Sequence, residues 1–253
     1  MINIRLIYRI IYRNFLVWTK FLKPSLVANL GEPLIYLVLM GFGMGKLVHE
    51  VNGMRYIDFL APGLILSSTM YAASFESTIS SYTRMITQKT YESIMITPVN
   101  LSEIVAGEII WGMIKGLISS IFFITIMGLM GLIHSWLFLL SLWIVIADGL
   151  FFSALSIMFV GVAHSYEFFN YFFTLVLTPL FLFSGIFFPI NTLPHLIGEI
   201  ANYTPLVPMV ICVRDLNSGI FNTYTFILST ITGMISIPMA IIAYKLIRKR
   251  LIK

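Results

Sequence analysis

No Asp, Glu, Lys or Arg occurs from Phe168 to Gly198 or from Leu216 to Tyr244. Each stretch is longer than the roughly 20 residues a helix needs to cross about 30 Å of hydrocarbon, and neither could be laid over the surface of a water-soluble domain. The remainder agrees: 58% of the 253 residues are apolar and 11% charged, against roughly half and a quarter in soluble domains. Mean hydropathy is +0.94. We read residues 1–253 as a single all-α integral membrane domain.

Six segments are apolar and long enough to span: Leu26 to Val48, Phe59 to Tyr82, Ile104 to Ile133, Trp136 to Ala163, Phe168 to Phe188 and Phe221 to Tyr244. An even number puts both termini on one side, and the positive-inside rule makes that side the cytoplasm. Arg5, Arg9, Arg13, Lys20 and Lys23 precede the first span, Lys245, Arg248, Lys249, Arg250 and Lys253 follow the last, and Arg84 and Lys89 lie after the second. Lys46, Arg55 and Arg214 fall outside. The expected location is the plasma membrane.

Residues 1–23 carry basic residues throughout and lack the uninterrupted apolar core of a signal peptide. At 100° per residue their five cations share an arc of about 80°, which predicts an amphipathic helix in the membrane interface with its basic stripe toward lipid phosphates or a cytosolic partner. Pro24 should mark its corner into the membrane. Two loops stand out. Residues 82–100 form a polar cytoplasmic stretch too long for a hairpin, and residues 189–215 remain apolar but are broken by Pro189, Pro194, Pro205 and Pro208, as expected of an external re-entrant hairpin before the last span.

Several chemistries fail on spacing. Gly41 to Leu47 superficially resembles a phosphate-binding loop, but Met40 and Leu47 stand where Gly and Ser or Thr are required; Gly41 and Gly45 suit close helix packing better. The lone Cys212 and the scattered His49, His134, His164 and His195 give no metal site and no nucleophilic triad. The basic residues end apolar segments and do not form a nucleic-acid-binding face. No catalytic residue, resident cofactor, metal or nucleic-acid partner is expected.

Charge within hydrocarbon is costly and marks pairing or a polar path. Glu32, Glu76, Glu108, Lys115 and Asp148 are the intramembrane polar candidates, with Glu108 and Lys115 on one face of the third span. Counted from the turn at His134, Lys115 and Asp148 differ in depth by about 7.5 Å. An ion pair across this hairpin is one possibility; contact of each with a different helix or with water is the other.

Phe59-Leu-Ala-Pro-Gly-Leu64, Arg84-Met-Ile-Thr-Gln-Lys-Thr-Tyr-Glu92, Thr97-Pro98, Gly107-Glu108, Phe183-Ser-Gly-Ile-Phe-Phe-Pro189, Leu193-Pro194, Pro205-Leu206 and Arg214 occur in order over nearly the whole chain. Together they resemble the ABC-2 family of exporter permeases, in particular those that export nodulation factors, polysaccharides or drugs. The resemblance implies a subunit without its own ATPase, working as a homodimer with a separate ATP-binding cassette ATPase that binds ATP and Mg. It implies that Arg84, Lys89, Glu92, Thr97 and Pro98 belong to the coupling helix that receives ATPase motion. Phe187, Phe188, Pro189, Pro194, Pro205 and Arg214 would then form an external gate. A short helix with Arg84, Lys89 and Glu92 exposed could dock on a soluble partner through polar contacts.

The chain has 21 Phe, 12 Tyr and 4 Trp, which suits an amphiphilic cargo, a lipid-linked oligosaccharide, glycolipid or hydrophobic drug, better than a small ion. Membrane lipids are the other expected partners. Two rival readings are a proton-coupled secondary transporter using Glu32, Glu76 and Asp148, and an integral-membrane lipid-modifying enzyme using Glu108, Asp148 and His164.

Overall fold

A computed structural model describes residues 3–48 and 50–251, without the side chains of residues 23 and 26–30. His49 and Lys253 lie outside the described residues, as does the Lys23 side chain. The described chain is almost entirely helical: α1 (Ile4–Thr19), α2 (Leu22–Val38), α3 (Tyr56–Phe75), α4 (Thr90–Met95), α5 (Leu101–Leu129), α6 (Ser141–Val162), α7 (Glu167–Phe172), α8 (Thr178–Leu182), α9 (His195–Asn202), α10 (Leu206–Asn217), α11 (Thr223–Met234) and α12 (Ser236–Leu251). A two-residue β-hairpin pairs β1 (Glu50–Val51) with β2 (Met54–Arg55).

Each of the six apolar segments holds helix, but among the described residues only three helical rods are both long and apolar enough to cross a membrane: Leu101–Leu129, Trp136–Val162 and, with α11 and α12 joined end to end, Thr223–Leu251. α9 and α10 meet at an 81° bend and together match one span in length and composition. Pro194 and Pro205 stand immediately before these two helices, where a missing N–H interrupts no helical bond. The final helix runs into the basic tail, past the expected end at Tyr244.

α6 lies at the centre, packed against α3, α5, α10, α11 and α12. Contacts this close need small side chains and paired hydroxyls, since lipid gives helices no hydrophobic reason to associate. A Cβ on Gly112 of α5 would collide with both Ser77 Oγ and Ser153 Oγ, and those hydroxyls bond each other at 2.6 Å. Ser68 and Ser119 pair at 2.8 Å, and Thr69 pairs with Ser120. Large apolar side chains such as Ile121, Phe122, Leu139, Trp143, Leu175 and Ile241 remain exposed on the flanks, as befits a lipid-facing surface. Gly41 packs against Ile57 as expected, whereas nothing approaches Gly45.

α1 departs from a helix that merely lies on the surface. It climbs along α5: the Asn3 amide donates to Glu103 Oε1 at 2.9 Å, a Cβ on Gly107 would press on Ile10, and Trp18 packs edge-on against Trp111. The corner falls at Lys20 and Phe21, ahead of Pro24. Pro24 sits instead in the first turn of α2, where proline is tolerated.

Candidate functional site: the charged junction, the α4 turn and the arginine clamp

α3 does not end at Phe75. Wider π turns over Glu76–Ser80 and Thr83–Thr87 carry the rod past the loop boundary expected at residue 82. That extension turns Arg84 inward, correcting the expectation that it is exposed for docking. Arg84 Nη1 donates to Glu76 Oε1 at 2.9 Å and Nη2 to Glu108 Oε2 at 2.6 Å, with 14% of the side chain exposed. Glu108, fully buried, also accepts from Ser81 Oγ at 2.9 Å and Asn14 Nδ2 at 3.2 Å. Trp111 Nε1 donates to Glu76 at 2.9 Å.

Arg13 joins the same junction, with Nη2 3.7 Å from Glu108 Oε1. The basic stripe of α1 is therefore split: Arg5 and Arg9 remain exposed while Arg13 reaches the bundle. Burial, opposed by Glu108 and reinforced by Arg84, sets the Arg13 guanidinium below its ordinary value. Glu103 closes the base by capping α5 with Asn100 while holding the Asn3 amide. Its capping half was legible as Asn100-x-x-Glu103.

Beyond the rod, Lys89 adopts a left-handed conformation (φ 50°) and reverses the chain into α4. Tyr91 is buried beneath this short helix, whereas Lys89, Glu92, Thr97 and Pro98 are exposed. Thr97 Oγ1 donates to the Ile94 carbonyl at 2.6 Å, tightening the exit before Pro98. Four of the five expected coupling residues are thus exposed on or beside α4, and the fifth, Arg84, is drawn into the charged junction at the end of the rod.

At the opposite end of α3, Arg214 of α10 clamps two backbone segments. Its Nε donates to the Phe59 carbonyl at 3.1 Å and Nη2 to the Gly185 carbonyl at 3.0 Å, while the guanidinium stacks 3.6 Å from the Phe59 ring centre. Phe187 packs on Tyr36 and Phe181, and its carbonyl accepts from Tyr56 Oη at 3.2 Å. Phe188 is half-buried, and Pro189 precedes a single 3-10 turn. Pro189 shares a small cleft with Gly185 and Arg214, whereas Pro194 and Pro205 stand apart from it in sequence, at the helix joints before α9 and α10.

The remaining intramembrane candidates separate. Lys115 Nζ donates to Ser25 Oγ at 2.5 Å and lies 4.7 Å from the Trp18 ring centre. Asp148 is fully buried, and neither carboxyl oxygen has a hydrogen-bond partner among the described residues. The Lys115 to Asp148 pair considered from depth alone is not formed. Glu32 is exposed and borders a cleft of about 430 Å³ with Tyr71, Phe75, Asn170, Phe173 and Thr174.

Sequence reasoning missed His134, whose Nε2 lies 3.0 Å from Asp58 Oδ1 beside the Arg55 to Asp58 pair at 2.6 Å. No lone-residue signal connects positions so far apart in sequence. Among the described residues no group of three His, Cys, Asp or Glu side chains could hold a metal.

Comparison with known proteins places these features. The model of the family described as "ABC-2 type transporter" matches residues 5–217. Nodulation protein J of Rhizobium leguminosarum bv. viciae is 36% identical over 208 residues, 82% of this chain and 80% of that protein. Nodulation protein J of Rhizobium meliloti (strain 1021) is 34% identical over 82% of this chain and 79% of its own length. The inner membrane transport permease YadH of Escherichia coli (strain K12) is 28% identical over 79% of this chain and 76% of its own. With the family match covering most of its length and its apolar helices built to cross a bilayer, the chain belongs to the ABC-2 type transporter family of membrane transport permeases.

Proposed function

We propose that the chain is the membrane subunit of an ATP-driven exporter in the plasma membrane, crossing six times with both termini in the cytoplasm. It works as a homodimer with two copies of a separate ATPase that binds ATP and Mg, and ATP binding biases the dimer between inward-open and outward-open states. The observation that carries this reading is the charged chain Glu76, Arg84, Glu108 and Arg13, buried at Glu108 and partly exposed at Arg13. It ties α1, the end of α3 and α5 together directly behind α4. A push on the exposed Lys89 and Glu92 turn reaches three helices through contacts that tolerate little slack.

The cargo is an amphiphile. The cleft beside Glu32 offers hydrogen-bonding groups on Tyr71, Asn170 and Thr174 against the faces of Phe75 and Phe173. That combination suits a sugar or other polar head joined to an apolar body. Phe187, Phe188 and the Arg214 clamp would close its exit, with α9 and α10 as the re-entrant pair.

The test is charge reversal at the coupling turn, Lys89→Glu with Glu92→Lys, in the permease reconstituted with its ATPase. Cargo-stimulated ATP hydrolysis should fall about tenfold, the loss of roughly 1.4 kcal/mol of docking energy, and ATPase recovery with the permease should drop. Unchanged stimulation and recovery would reject docking at α4. Cargo movement driven by a pH gradient in vesicles lacking any ATPase would replace the exporter by a proton-coupled carrier.

A further inference from the structure

Lys115 stands halfway along α5, on one of the helices able to cross the membrane. Among the described residues no carboxylate lies within ion-pairing distance of it. Its visible partners are one hydroxyl, Ser25, and one ring, Trp18. An ammonium at such depth is stabilised by a compensating negative charge or by facing a polar, water-filled space. Glu76 is held by Arg84 and Trp111, and Asp148 forms no bond to Lys115.

A cavity of about 340 Å³ opens at Lys115, with Trp18, Phe21, Phe75, Glu76 and Arg84 among its walls. A second, of about 390 Å³, shares Asn14, Val17, Ser80 and Arg84 with it and continues past Arg13 to Gln88 and Thr90. Together they make a furrow between α1 and the α3 rod lined by Arg13, Arg84, Lys115 and Glu76; Glu76 and the buried Glu108 behind the wall pair with Arg84 and Arg13, which leaves Lys115 as the lining cation without an acid partner among the described residues. Its rim is apolar and exposed, through Val17, Phe21 and Phe75. A free inorganic anion would use the cations and leave this rim uncovered.

We infer that the furrow is a binding site for an anionic membrane phospholipid. The phosphate lies toward Lys115 and supplies the missing countercharge, and the acyl chains run over Phe21 and Phe75 into the bilayer. The Trp18 ring forms a wall that limits water access to the ion pair, strengthening it. The bound lipid would be a fixed part of the permease, wedged between α1 and α3. This goes beyond the transport reading and depends on neither cargo nor ATPase.

The full chain, purified in mild detergent without an ATPase, would be offered equal amounts of phosphatidylglycerol and phosphatidylcholine, and retained lipid counted by native mass spectrometry. Phosphatidylglycerol should be preferred about tenfold. Lys115→Met should reduce that preference to near parity, and Lys115→Arg should keep it. Should Lys115→Met fail to fold, Phe21→Ser with Phe75→Ser decides: total phospholipid retention must fall while the charges are intact. Undiminished retention in that variant, or an unchanged preference in folded Lys115→Met, overturns the site. Displacement of the lipid by millimolar inorganic phosphate overturns the lipid assignment in favour of a free-anion site. Because no transport is measured, failure here leaves the exporter reading to its own experiment.

Discussion

The two ends of α3 bury an arginine by opposite means. At one end Arg84 meets two carboxylates, Glu76 and Glu108, and shares one of them with Arg13. At the other, Arg214 meets two backbone carbonyls and the face of Phe59, with no carboxylate within ion-pairing distance among the described residues. Full charges matched in a low-dielectric site are strongly coupled, so losing one strands the rest. Carbonyl dipoles hold a guanidinium more weakly but fix its direction, because both acceptors belong to the chain itself. The first arrangement ties three helices, α1, the α3 rod and α5; the second fixes α10 against the start of α3 and the turn at Gly185.

The largest effect should follow Glu108→Gln, which leaves Arg84 and Arg13 with too little negative charge. We expect a loss of about 3–5 kcal/mol, read as a lowered thermal midpoint in detergent. Arg84→Met combined with Glu108→Leu should recover much of it, and a double variant as poor as the two losses added would break the coupling. Arg214→Lys comes next, at about 1–3 kcal/mol. A single ammonium cannot span the Phe59 and Gly185 carbonyls while stacking on the ring, and a fully stable lysine variant would erase the contrast between the two ends. Lys115→Met and Asp148→Asn, being unpaired with each other, should add to within about 0.5 kcal/mol; strong non-additivity would restore the ion pair.

The smallest effect is an acid one, at the first turn of α3. Burial acts to raise the Asp58 carboxyl, but hydrogen bonds and charges from Arg55 and His134 hold it below its ordinary value. A depressed carboxylate stabilises the fold above its unfolded-state pKa of about 4. That contribution is lost as pH falls through the folded value. From about pH 5 to pH 3 the wild-type midpoint should fall more steeply than that of Asp58→Asn, and parallel curves would remove Asp58 from the account.

Helix positions were legible because apolar length and proline placement are local properties. Pro194 and Pro205 fall at the joints where the pattern put them, and the motif series led to the family that the comparison supports. Rotation about each helix axis was not legible. Arg84 was taken for a loop residue because the apolar pattern stops near Tyr82, but π turns continue the rod and swing it inward. Depth left a Lys115 to Asp148 pair and separate partners both open, because side chains within reach along the axis can still point to different neighbours, and only packed helices fix which. The base of α1 was half readable: its charge periodicity showed a helix, while its contact with Glu103 and Trp111 arises across a hundred residues of sequence.

Gly112, locked between Ser77 and Ser153, has a mechanical corollary. Three helices that interlock at one point with no spare volume cannot slide past one another there. If α4 receives the ATPase stroke as proposed, the displacement would pivot about this knot, as a lever about its fulcrum, and a small stroke at one end of the bundle would become a tilt of opposite sense at the other.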